Sequence, residues 1–295
     1  MSRKRIILYS FITLIVVGAW LAAWAFWYEP SSIVVRNYEI KIAEWNPKLD
    51  NLKIVLISDV HGGSNFVDEA RIREVVKLAN SQNADLIVLL GDYVSQKSNS
   101  ADLKMSMATI ADNLRGMNAK HGVFAILGNH DNWYDEKIPR AEFERIGYKV
   151  LENEGIVITQ NDANLILLGL PDALKVRGWK DYSDNAKSAL SKINASGDII
   201  VLSHNPDIFP IINTANPISD DFRLLLAGHT HGGQVNFPFF GALVVPSDYG
   251  QKYAKGHVVE NGKHLFVTSG IGMSVFPVRF RVPPEISVVI VRAAN

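Results

Sequence analysis

Five short apolar runs, each closing on residues able to hold a metal, set the tightest limit on what this chain can fold into. "LKIVLIS" runs into Asp59, "ADLIVLL" into Gly91-Asp92, "HGVFAIL" into Gly128-Asn129-His130-Asp131, "DIIVLS" into His204 and "FRLLLA" into Gly228-His229. Near-continuous apolar runs of this length are the pattern of strands buried on both faces. Helical stripes lie between them. Ile72, Val75, Val76 and Ala79 form one, with Asp68 as its N-cap; Leu103, Met107, Ile110 and Leu114 form a second; Ala186, Ala189, Leu190 and Ile193 form a weaker third. Strands alternating with helices predict an α/β protein with a sheet covered on both faces. In such sheets ligands bind outside the carboxyl ends of the strands, which is where these polar residues stand.

Other stretches fill in the organisation. "IVVRNYEIKI" (33–42) sets Val34, Arg36, Tyr38, Ile40 and Ile42 against their neighbours and reads as an antiparallel or edge strand. Residues 148–170 lack a helical stripe and carry Asn161-Asp162, a turn signal, so they read as a hairpin. The C-terminal part is β-rich as well, in "GALVVP", "HLFVTSG" and "EISVVIV". The reading is one domain over 44–295, preceded by a linker and edge strand over 29–43. Lys+Arg and Asp+Glu both total 30, a balance that offers no nucleic-acid surface. Without cysteine, any metal must be held by His, Asp, Glu or Asn, which suits Mn, Fe, Zn or Mg.

Residues 1–28 stand apart. Ile6 to Tyr28 is an uncharged stretch long enough to span the hydrocarbon layer as a helix. Arg3, Lys4 and Arg5 precede it, and Trp20, Trp24, Trp27 and Tyr28 crowd its far end. That asymmetry predicts a single-pass anchor in the cell membrane with the domain on the extracytoplasmic side. Ala23-Trp24-Ala25 also fits a signal-peptide cleavage site, and either fate sends the rest of the chain outward.

Taken singly, each strand-end motif has a bland reading as a turn or a core histidine. Together they place five of the eight histidines at one end of an inferred parallel sheet. His229 and His231 are one residue apart, a spacing that puts both on one side of an extended segment. The order "SDVHGG", "GDYVSQ", "GNHD", "LSHNP" and "GHTHGGQV" resembles the calcineurin-like metallophosphoesterase superfamily, over residues 58–235. The tail "SGIGMSVFPVRFRVPPEI" resembles its membrane-anchored bacterial branch, some members of which hydrolyse UDP-2,3-diacylglucosamine.

The resemblance implies a β-sandwich flanked by helices (αββα) with two divalent ions at one edge. It implies Asp59, His61 and His231 on one ion, Asn129, His204 and His229 on the other, and Asp92 bridging. His130 takes the place of the family's catalytic histidine. Two such ions acidify a trapped water and clamp phosphoryl oxygens. The glycines Gly62, Gly63, Gly232 and Gly233 serve either close approach to a phosphate or simple turns. Two positions depart from the pattern. Ser95 stands where many relatives carry an Asp supporting the catalytic histidine, and Gln96 where protein phosphatases have an Arg; Asp131 is an alternative support. Arg279 and Arg281 read as one strand face, either solvated or gripping an anionic head group. Tyr249, Lys252, Tyr253 and Lys255 lie in a loop that can border the site.

The expected activity is hydrolysis of a phosphodiester or pyrophosphate on a lipid- or nucleotide-linked substrate. The alternatives are a phosphomonoesterase and a non-catalytic metal- or phospholipid-binding module. An outward-facing domain would not meet a cytoplasmic UDP-lipid, so either the topology or that substrate must differ.

Overall fold

The computed structural model describes residues 2–95, 103–135, 137–172, 175 and 178–294. The first sheet takes β1 (Val34–Ile42), β2 (Leu52–Ile57), β3 (Leu86–Leu89), β4 (Val123–Ala125), β5 (Lys149–Val150) and the last strand, β14 (Glu285–Ala293). The second takes β6 (Glu154–Gln160), β7 (Ala163–Gly169), β8 (Asp198–Leu202), β9 (Phe222–Ala227), β12 (Gly256–Glu260) and β13 (Lys263–Val267), while β10 (Asn236–Phe237) and β11 (Gly241–Ala242) make a small ribbon. The orders are β1-β14-β2-β3-β4-β5 and β12-β13-β9-β8-β7-β6. Strands β2 to β5 are parallel, as are β7, β8, β9 and β13.

Period-two alternation decides the layers. Ile54, Leu56, Leu86 and Val88 meet Leu165, Leu167, Ile200, Leu202, Leu224 and Leu226 between the sheets. Their neighbours Val55, Ile57, Ile87 and Leu89 turn outward to the helices, and Leu168, Val201 and Leu225 do the same on the other side. The result is the expected αββα sandwich. The five runs are shared between the two sheets of that sandwich, each of them mixed, so the strand ends meet across two sheets and not along one parallel sheet.

Helix α3 (Glu69–Asn80) starts at Asp68, whose side chain accepts from Arg71 N at 2.8 Å. Helix α4 (Met107–Leu114) is capped by Ser106, so Leu103 precedes the helix and only packs beside it. Helix α5 (Asn129–Tyr134) opens on a motif residue, α6 (Ile138–Arg145) follows, and α7 (Trp179–Leu190) covers the second sheet with Ile193 just beyond its end. The 148–170 stretch divides. Lys149–Val150 joins the first sheet, and the hairpin proper is β6–β7. Its turn residues Asn161 and Asp162 have φ of 51° and 58°, a type I′ geometry. Strand β1 is an edge strand but pairs parallel to β14, not antiparallel.

At the N-terminus α1 (Arg3–Ala23) has no buried residue. It continues through a wider π-helical turn, Trp24–Tyr28, into the short α2 (Glu29–Ser31). Arg3–Ser31 is long and apolar enough to cross a membrane.

Candidate metal centre

Strands β2, β3 and β4 of one sheet and β8 and β9 of the other bring their carboxyl ends together. Asp59, His61, Asp92, His204 and His231 are all buried there, as is Asn129. Three overlapping groups can each hold a cation: Asp59, His61 and His231; His61, Asp92 and His130; Asp92, His204 and His229. Asp92 Oδ2 lies 3.1 Å from His204 Nε2, 3.8 Å from His61 Nε2 and 3.9 Å from His130 Nε2. His231 Nε2 lies 3.5 Å from Asp59 Oδ1 and 3.3 Å from His61 Nε2. His229 Nδ1 lies 3.2 Å from His204 Nε2. Six of the seven sequence-selected ligands, all but Asn129, thus fall in these groups together with His130, and Asn129 is buried next to His130 in the chain.

The backbone is curled, not extended, where these side chains emerge. Asp59, His61, Asp92, His229 and His231 have φ of 54°, 45°, 57°, 73° and 50°. A left-handed backbone is unfavourable for such residues and concentrates at functional sites. Thr230, between the two histidines, is right-handed. The alternation swings His229 toward His204 and His231 toward His61, so they serve opposite halves of the cluster. Close approach also needs glycine. A Cβ at Gly128 would overlap the Asp92 carboxylate, and one at Gly228 would overlap Ser58 and Asp59. By contrast, a Cβ at Gly62, Gly63, Gly232 or Gly233 would meet Ile110, Lys104 and Met105, Val282, or Ala242 respectively. These four glycines are closely packed, so a side chain at any of them would displace a neighbour.

The donor chemistry fits divalent ions. His61 Nδ1 faces Val94 O at 3.0 Å and His204 Nδ1 faces Leu90 O at 2.7 Å. With Nδ1 donating there, each ring aims Nε2 at the cluster, where it can bind a cation once any second proton has left. Asp59 Oδ1 and Asn129 Oδ1 are buried with no hydrogen-bond donor, as expected of oxygens that accept a cation. Burial holds His61 below its usual range, pushes His229 down to about 4 with help from His204, and pushes His231 down to about 3. Burial also opposes protonation of His204, but Asp92 outweighs it and pushes that ring up to about 10. Burial works to raise the Asp59 and Asp92 carboxyls, yet the facing imidazoles hold both below the usual range.

Asp131 does not support His130. Its buried carboxylate accepts four backbone N–H groups, from Asp92 (2.8 Å), Tyr93 (2.9 Å), Val94 (3.3 Å) and Gly128 (2.9 Å). It ties the loop after β3 to the start of α5. His130 N donates to Asp92 Oδ1 at 2.8 Å. The His130 ring meets the rings of His61 and Trp133 edge-on, each at 4.7 Å. It lines a cleft of about 420 Å³ with Ser64, Asn65, Ser95 and Lys104 on one side and Met273 to Pro277 on the other. The sequence carried no signal for Asn65 or Lys104. Ser95 Oγ is buried there without a hydrogen-bond partner among the described residues, and Gln96 lies outside them.

The two arginines do not share a face. Arg281 is exposed at φ 60°, whereas Arg279 is fully buried. Arg279 donates to the carbonyls of Ser269, Gly270, Gly272, Val282 and Pro283. Gly272 N in turn donates to Asp59 O, and Ile271 N to Ser58 O. Arg279 is therefore a positioning residue behind Asp59, and both readings offered by its sequence fail. In the 249–255 loop, Tyr253 is core and Lys252 pairs with Glu260 at 2.7 Å. Lys255 comes nearest the site, beside Gly232.

A sandwich with this buried Asp/His cluster at its strand ends is the framework of a metal-dependent phosphoester hydrolase. The calcineurin-like phosphoesterase family matches residues 52–233, more than half of the chain, and the chain belongs to that family. It is 31% identical, over 100% of its length and 99% of the relative's, to "Uncharacterized metallophosphoesterase YkuE" of Bacillus subtilis. It is 28% identical to "Phosphodiesterase YaeI" of Escherichia coli over 88% of this chain and 87% of that one. A solved "Putative 5'-Nucleotidase from Staphylococcus aureus" matches at 12% identity and a TM-score of 0.49, covering 83% of this chain and 55% of that one.

Proposed function

We propose that the protein is a membrane-anchored phosphodiesterase with two divalent ions. The observation that carries this is the position of Asp92, whose Oδ2 lies within 3.1 to 3.9 Å of His204, His61 and His130. Asp59, His61 and His231 would hold one ion, Asn129, His204 and His229 the other, and Asp92 both. Mn, Fe, Zn or Mg suits these donors. Such a pair, when bound, supplies an acidified water and neutralises phosphoryl charge. The chain's own residues do the rest. Backbone carbonyls fix the His61 and His204 rings, Lys104 and Asn65 would offer donors to a phosphate in the cleft, and His130, which lines that cleft, would protonate the leaving oxygen.

A diester is favoured by the relative named as a phosphodiesterase. A retained anchor is favoured by the joint between helix and domain: Arg279 N donates to Ala25 O at 3.0 Å, and Glu29 accepts from Val282 N and from Trp24 Nε1. Basic residues at the N-terminus support a domain on the outer side, which favours a lipid-linked diester or pyrophosphate of the outer face over cytoplasmic UDP-2,3-diacylglucosamine.

The test is metal analysis and turnover of the full chain in detergent with Mn²⁺, comparing bis(4-nitrophenyl) phosphate with 4-nitrophenyl phosphate. Two ions per chain and faster diester cleavage are expected. Faster monoester cleavage would make it a phosphomonoesterase, and bound metal without turnover a binding module. Reporter fusions after Asn295 read the topology.

A further inference from the structure

Two loops beside the metal centre expose large apolar side chains in an unfavourable backbone conformation. Phe239 is wholly exposed, at 103%, with φ 71°, and Val275 is 78% exposed with φ 57°. A left-handed backbone is a genuine outlier for bulky and β-branched residues. No packing within the fold compensates for it here. Phe240, Leu243, Val244 and Phe276 extend the same exposed surface. The segments "FPFFGALV" (237–244) and "VFP" (275–277) carry no charge. Contiguous exposed apolar surface of this kind marks an interaction site.

The loops form one surface with the end of the N-terminal helix. Gln234, three residues after His231, accepts from Ser274 N at 2.7 Å and donates to Phe276 O. Asn236 N and Phe280 O, and Phe280 N and Gln234 O, pair at 2.9 Å. The neighbouring Arg279 N binds Ala25 O of the helix end. Phe26 and Trp27 line a shallow cavity with Asn65, Phe66 and Pro277, and Asn65 and Pro277 also line the metal cleft. The anchor, the apolar loops and the mouth of the site are therefore contiguous. Arg281 is exposed in the same segment, where a lipid phosphate would find it.

We propose that loops 237–244 and 275–277 dip into the bilayer that α1 crosses, and that the metal cleft takes its substrate, an amphiphile with a phosphate at head-group depth, directly from that membrane. This deepens the membrane-anchored reading above and rests on it. Apolar loops enter the acyl boundary while the phosphate stays at the polar level, beside Lys104 and His130 in the cleft.

The chain has no cysteine, so single labels report without background. Phe239→Cys, Phe240→Cys, Val16→Cys in α1 and Ser188→Cys in α7 are each made in the full chain. The label is an environment-sensitive fluorophore, and the vesicles are phosphatidylethanolamine with phosphatidylglycerol. Ser188 is exposed, at the end of the sandwich opposite the metal centre. Acyl-chain nitroxides are expected to quench labels at 16, 239 and 240 severalfold more than aqueous iodide does, and the order is expected to reverse at 188. A lipid-buried label at 16 with iodide-quenched labels at 239 and 240 overturns the loop proposal alone. Labels at 239 and 240 shielded from both quenchers also overturn it, in favour of a second protein copy. Iodide quenching at 16 removes the anchor reading and this proposal with it. Circular dichroism and thermal transitions matching the parent show that each labelled chain is folded.

Discussion

Replacing Asp131 by asparagine tests how the two strand-end loops are held. Asp131 is fully buried, with each carboxylate oxygen accepting two backbone N–H groups: Asp92 and Gly128 on Oδ2, Tyr93 and Val94 on Oδ1. Asparagine keeps one oxygen and puts an NH₂ where the other stood. Whichever way the amide turns, two N–H groups lose their acceptor and face a donor. A buried group left unsatisfied costs about 1–3 kcal/mol, so the gross loss is about 2–6 kcal/mol. The native carboxylate is itself unfavourable in this place. Burial, then the charge of Asp92, lift it to about 7. Removing that charge offsets part of the loss in the metal-free chain, which leaves about 2–4 kcal/mol. Urea unfolding of the full chain in detergent, metal-free and Mn²⁺-loaded, measures it as a lower midpoint at constant slope. Because Asp131 sets the amides of Asp92 and the start of α5, metal content is expected to fall as well. A variant within about 0.5 kcal/mol of the parent, with full metal content, would refute the clamp.

His130→Asn is expected to lower kcat by on the order of 10²–10⁴ while metal content stays intact, with the larger loss on substrates whose leaving groups need a proton; loss of metal together with activity would make His130 a ligand instead. Arg279→Lys is expected to destabilise the protein by at least about 3 kcal/mol, because one ammonium cannot serve carbonyls spread over a guanidinium fork; a midpoint within about 1 kcal/mol of the parent would remove its positioning role. His204 is pushed up to about 10 by Asp92, so it carries a proton at pH 7 that metal binding must release. Calorimetry with Mn²⁺ in two buffers of different ionisation enthalpy is expected to show at least about one proton released per chain, and affinity is expected to rise with pH; identical heats would contradict a protonated His204. Gly128→Ala is expected to weaken metal binding at least about tenfold, since its Cβ overlaps the Asp92 carboxylate; unchanged content measured by metal analysis would show that the loop can give way.

By itself the sequence determined the strands, the helix stripes and the metal-type residues, because these follow from short-range periodicity. A run such as Leu52–Ile57 is apolar at every step, so both of its faces must be covered, and the polar residues that follow it must lie at a strand end. Composition and order were enough to single out Asp59, His61, Asp92, Asn129, His130, His204, His229 and His231, and all but Asn129 fall in the clustered Asp/His groups. Tertiary structure decided which sheet each run entered, since a strand buried in either sheet has the same pattern. It decided the direction of β1, because edge pairing depends on where β14 returns. It turned His229 and His231 apart, because left-handed residues break the two-residue period that an extended segment would keep. It also buried Arg279 and enclosed Asp131. Their partners are backbone carbonyls and amides of distant loops, and every residue type carries those groups, so no side-chain pattern can announce them.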